Sequence, residues 1–103
     1  MTPTQLAALQ RAGIANGLYD ANYGSRYGQC YDGHCLPDSI IRKLLIVAMM
    51  EAMPKWWLVY HDASEGWYYQ DRPNEDHFRF GGPFPDLFDA LFQALVAGGR
   101  VKA

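Results

Sequence analysis

"KWWLVYHDASEGWYYQDR", residues 55–72, is the stretch that decides the fold. Two runs rich in aromatic residues flank the turn-forming "ASEG", which is the signature of an antiparallel hairpin. In the first run Trp56, Leu58 and Tyr60 point one way, and Trp57, Val59 and His61 the other, as a period of two requires. Trp56, Trp57 and Trp67 are expected to pair across the hairpin. Downstream, "PNED" is a turn, and "HFRF", residues 77–80, is a third short strand with Phe78 and Phe80 on one face. "GGPFPD" then breaks the chain again.

Helical patterns stand on both sides of this sheet. Upstream, "LPDSIIRKLLIVAMMEAMP" predicts a helix over 38–53, ended by Pro54. Ile40, Ile41, Leu44, Leu45, Ala48 and Ala52 form its core stripe. Ile46, Val47, Met49, Met50 and Met53 widen that stripe to most of the circumference. So apolar a helix either sits centrally or contributes to an interface, and a homodimer through helix 38–53 is the natural form of the second case. Downstream, "PDLFDALFQALVAGG" predicts a helix over 86–97. Leu87, Phe88, Leu91, Phe92, Leu95 and Val96 make a buried stripe, and Gly98 or Gly99 suits its C-terminal cap. The tail "RVKA" is expected to fray. At the other end "TPTQ" opens a helix over about 3–13, with Thr2 as N-cap, Pro3 in the first turn and Gln5 reaching back. The order α–loop–α–β–β–β–α predicts a single α+β domain over 1–103. Its small antiparallel three-stranded sheet, within about 55–80, buries one face against the helices at 38–53 and 86–97.

Composition narrows the function. The chain has 103 residues, half of them hydrophobic and 15% aromatic, and a net charge of −2. A nucleic-acid binder usually carries a basic excess, so this balance argues against one. "MTPTQLAALQ" has no basic start and no long apolar run, and "IIRKLLIVAMMEAM" is too short and too charged to span a bilayer. A cytoplasmic protein with no membrane partner is expected. In that compartment Cys30 and Cys35 are reduced thiols, although a disulfide could bridge the tight loop between them.

The segment 16–35, "NGLYDANYGSRYGQCYDGHC", places a tyrosine at every fourth position among glycines. The glycines oppose a continuous helix, and a long irregular loop is expected. Tyr and Gly together are the mixture that recognition surfaces use, because Tyr adds contact area at low entropy cost. Tyr19, Tyr23, Arg26, Tyr27 and Tyr31 are therefore the candidate binding surface. The opposing reading packs these rings over the sheet. "CYDGHC" also raises metal: Cys30, His34 and Cys35 are candidate ligands, but no second cysteine pair completes a zinc set, so no cofactor is expected.

"DGHCLPDSI", residues 32–40, resembles the nucleophile motif of the ovarian-tumour cysteine proteases, through Asp32, Gly33, Cys35 and Leu36. That resemblance implies Cys35 as nucleophile and His77, followed by Phe78, as base. A second resemblance spans residues 37–70 and 80–99, which run helix, tryptophan-bearing strand, hairpin and Pro-led helix. This pattern looks like the small phage-encoded "ABA sandwich" proteins and implies a phage or prophage product. Small phage proteins of this size are often inhibitors of host machinery, anti-CRISPR proteins among them. The leading expectation is a non-enzymatic protein acting by protein–protein interaction on a host protein. The alternative is a small cysteine hydrolase using Cys35 and His77.

Overall fold

The computed structural model describes residues 2–14, 30–31, 34–35, 38–71 and 79–102. Its elements are α1 (Pro3–Arg11), β1 (Cys30–Tyr31), β2 (His34–Cys35), α2 (Asp38–Ala52), β3 (Leu58–Asp62), β4 (Gly66–Gln70), β5 (Phe80–Phe84) and α3 (Leu87–Ala97). With the two-residue strands β1 and β2 set apart between α1 and α2, three helices and a three-stranded antiparallel sheet in the order α–α–β–β–β–α make the α+β class read from the sequence.

Local chemistry sets the ends of the helices. Thr2 and Gln5 close a reciprocal capping box on α1: the Gln5 N–H donates to Thr2 Oγ1 at 3.1 Å, and the Thr2 N–H to Gln5 Oε1 at 2.9 Å. Both α1 and α3 end by turning the chain left-handed at a glycine, Gly13 at φ 78° and Gly99 at φ 75°. In each case the next N–H reaches back into the last turn, Ile14 to the Leu9 carbonyl at 3.0 Å and Arg100 to the Leu95 carbonyl at 2.9 Å. This cap corrects the expectation of a frayed tail. It turns Val101 back onto the helices, where it is buried in the core.

α3 is the central helix. Its Phe88, Leu91, Phe92 and Leu95 are buried, and it packs on α2 and on strands β4 and β5. α1 adds Leu6, Ala8 and Leu9 to the same core, and α2 adds Leu45 and Met49. Arg42 of α2 bridges to Asp86, the N-cap of α3, at 2.7 Å and lies over the Phe88 ring. The expectation that α2 could sit centrally is corrected by this arrangement. Among the described side chains of α2, Leu45 and Met49 are buried, while Ile40, Leu44, Val47 and Met50 on the other side are exposed.

The sheet has the order β3–β4–β5, with Tyr60 opposite Tyr68, Val59 opposite Tyr69 and Gln70 opposite Phe80. A register shift between Trp67 and Tyr69 lets Phe84 sit opposite Trp67. The third strand is Phe80–Phe84, so "GGPF" lies within the strand and does not break it. Its Gly82–Pro83 peptide is cis. Proline is tolerated there because β5 is an edge strand. Of the three tryptophans expected to pair across the hairpin, Trp57 and Trp67 do so and Trp56 does not. Trp57 stacks on Tyr69, Trp67 meets His61, and Trp56 sits in the turn before β3 at φ 74°.

Candidate functional site

Alternation divides the sheet into two faces. The inner face carries Val59, Tyr69 and Phe84 and packs toward α3. There the Tyr69 ring stacks on Trp57, at 6.1 Å, and on Phe84, at 6.0 Å. Leu58, Tyr60 and Asp62 of β3 point the other way, with Tyr68 of β4 and Phe80 of β5 beside them.

This outer face is built around Tyr68, which is only 8% exposed. Its ring stacks on Tyr60 at 5.5 Å and meets Phe80 edge-on at 6.3 Å. Its hydroxyl donates to the Glu65 carboxylate. That hydrogen bond to a carboxylate, aided by burial, pushes the Tyr68 phenol up to about 12. The surrounding apolar groups stay open to solvent: Leu58 is 36% exposed, Tyr60 38% and Phe80 61%.

Two carboxylates border the aromatic patch at the hairpin end. Asp62 Oδ1 accepts from the Ser64 hydroxyl at 2.7 Å and from the Ser64 N–H at 2.9 Å. Those two bonds hold the Asp62 carboxyl below its ordinary value. Glu65 is the acceptor for Tyr68. The patch is therefore apolar and aromatic in the middle and acidic at one end.

At the opposite end Asp71 and Arg79 clamp the two chain segments together. The Arg79 N–H donates to Asp71 Oδ1 at 2.5 Å, and the Asp71 N–H to the Arg79 carbonyl at 2.9 Å. Beside this clamp a pocket of about 270 Å³ is lined by Trp57, Tyr69, Asp71, Arg79, Phe80 and Ala97. It falls just below the usual volume range of small-molecule sites.

Of the residues singled out in the sequence, Tyr19, Tyr23, Arg26, Tyr27 and His77 lie outside the described residues. Tyr31 lies on β1, and Cys30 faces Cys35 across the β1–β2 ladder, with Tyr31 opposite His34. Cys35 is thus a strand residue placed before α2, which begins at Asp38. Asp32-Gly33, between the paired Tyr31 and His34, is the dipeptide that signals a two-residue hairpin, and it was the clue to this ladder. The patch itself was half legible. Strand alternation gives Leu58 and Tyr60 one face, but nothing in the sequence says which face a helix covers. Among the described residues no group of three or more His, Cys, Asp or Glu is placed to hold a metal ion, and no helix is long and apolar enough to cross a membrane.

Compared with known proteins, the chain matches no family model, no curated protein and no solved structure.

Proposed function

We propose that this chain is a non-enzymatic binding protein that docks a partner protein on the outer face of its sheet. The observation that carries the reading is the exposed Leu58, Tyr60 and Phe80 gathered around a buried Tyr68. Rigid aromatic anchors with a solvent-open rim are what binding hot spots are made of. A soluble domain gains nothing from leaving such groups wet. Asp62 and Glu65 at one end set the chemistry of the partner: an apolar surface that presents lysine or arginine. An inhibitor that covers a functional surface of a host protein, encoded by a phage or prophage, is the biological role this reading favours. α2 is left for a different contact, a second copy of the chain.

The test is a pull-down from bacterial lysate with tagged wild type, Tyr60→Ala, Phe80→Asp, Asp62→Asn and the control Gln93→Ala. Circular dichroism checks each fold. The expected result is a protein retained by wild type and Q93A, lost by Y60A and F80D, and weakened by D62N or by added salt. Retention by every variant alike refutes the face. Specific retention of nothing, with the fold intact, refutes the binder.

A further inference from the structure

The exposed side of α2 carries Ile40, Leu44, Val47 and Met50, with Val47 54% and Met50 57% exposed. Their spacings of four, three and three residues keep them on one side of the helix, opposite the buried Leu45 and Met49. Two exposed charges, Lys43 and Glu51, lie on this same face, one turn before and one turn after Val47. From Lys43 to Glu51 the arrangement is symmetric about Val47. Leu44 lies three positions before it and Met50 three after. Lys43 lies four before and Glu51 four after.

From this symmetry we infer that α2 is the interface of an antiparallel homodimer whose two-fold axis passes beside Val47. A two-fold interface uses the same patch on both copies, so each residue must suit its mirror position. An axis at Val47 sets Val47 against its own copy and Leu44 level with Met50. It also brings Lys43 level with Glu51, about 6 Å along the helix on either side of the axis. Leu44, Val47 and Met50 then come level with apolar groups, Ile40 comes level with Pro54 just past the end of the helix, and each lysine comes level with a carboxylate. A parallel pairing would instead set Lys43 level with Lys43 and Glu51 with Glu51. The charge pattern thus selects the antiparallel second copy as occupant.

The size of the surface sets the strength. α2 is 15 residues, or about 22 Å. One helix face of that length buries less than the roughly 800 Å² per partner of a standard interface. The dimer is accordingly weak, with a dissociation constant on the order of tens of micromolar.

Sedimentation velocity over a concentration series tests this. Wild type is expected to pass from monomer to dimer across the micromolar range. Val47→Lys puts two ammonium groups at the axis and should hold the chain monomeric, with its melting temperature unchanged because Val47 is exposed. Lys43→Glu and Glu51→Lys should each weaken the dimer roughly three- to tenfold by setting like charges level. The double variant K43E/E51K restores opposite charges and should return to within about threefold of wild type. A wild type that stays monomeric throughout the series overturns the inference. So does a V47K chain that still dimerises, or a double variant weaker than either single one. None of these results bears on the sheet face, which lies on other residues.

Discussion

Adding one methyl group to β5 tests whether two glycines are what allow the sheet to be faced with tyrosines. A Cβ built on Gly81 would lie 2.5 Å from Cζ of Tyr69 and 2.7 Å from its hydroxyl oxygen. Moving the ring breaks its packing, because it is stacked on both Trp57 and Phe84 within 15° of parallel. Overpacking of this kind costs about 1–3 kcal/mol, and a disturbed aromatic stack about 0.5–1.5 kcal/mol. Gly81→Ala is therefore expected to destabilise by about 2–4 kcal/mol. Gly82→Ala should be worse. Its Cβ would meet Tyr68 Cδ1 at 2.6 Å and the Trp67 carbonyl oxygen at 2.7 Å, and Gly82 sits at φ 135°. Backbone strain adds about 1–3 kcal/mol there. Gly99→Ala is the control: φ is 75° but no atom lies within 4 Å of the added Cβ, so only about 1 kcal/mol is at stake. Urea denaturation followed by tryptophan fluorescence measures all three. The decisive arm repeats Gly81→Ala in a Tyr69→Ala background, where the space is already empty. An undiminished loss there, or a G99A variant as unstable as G82A, refutes the reasoning.

Three further outcomes follow from the same geometry. Tyr68 keeps its proton more tightly folded than unfolded, so the stability it contributes is whole below about pH 10 and is lost as pH rises toward about 12; Tyr68→Phe should flatten alkaline unfolding over that window, and an identical profile would count against the Glu65 bond. Asp86 shows the opposite sign. Burial pushes its carboxyl up, but the Asp89 N–H and the Arg42 guanidinium outweigh it and hold it below the ordinary 3.8; its contribution is present above that pH and fades as pH falls further. Asp86→Ala should destabilise by about 1–2 kcal/mol at neutral pH through the lost cap, and by less in acid, as read from thermal melts at both. Leu45→Ala should cost about 2–5 kcal/mol because Leu45 is fully buried, whereas Leu44→Ala should leave the monomer's melting temperature nearly unchanged; equal losses would mean α2 is rotated from its described position.

The sequence carried the fold where spacing and chain chemistry coincide. Thr2 and Gln5 sit at capping-box distance, and the buried stripe of α3 repeats at helical intervals. In "ASEG" the chain turns and the register follows, with Tyr60 opposite Tyr68. It misled where one local rule was applied against a tertiary one. Gly81-Gly82-Pro83 reads as a breaker, yet on an edge strand the glycines admit the Tyr69 and Tyr68 rings. For α2 the sequence left open a central place or an interface, because periodicity registers apolar residues and not what covers them. The binding segment expected at 16–35 and the Cys35–His77 pair rest on residues of which the structure describes only Cys30, Tyr31, His34 and Cys35, by their backbone.

The two apolar surfaces are linked by the helix between them. α3 is buried on both sides: its contacts with β4 and β5 fix the sheet, and its contact with α2 fixes the helical layer. Because α3 fills the interior, the sheet is free to keep an aromatic face outward and α2 an apolar stripe outward, in separate layers. Neither surface is needed for the core. A homodimer across α2 therefore places its contact on the side of the molecule away from the sheet and leaves both sheet faces open. Such a dimer is bivalent, and two sheet faces engaging one assembly would bind more tightly than either alone by effective concentration, without a new contact. A weak helix interface suits this role. In the dimer proposed above, such an interface would form once two copies are held on the same target, and the single chain still folds around its own buried helix.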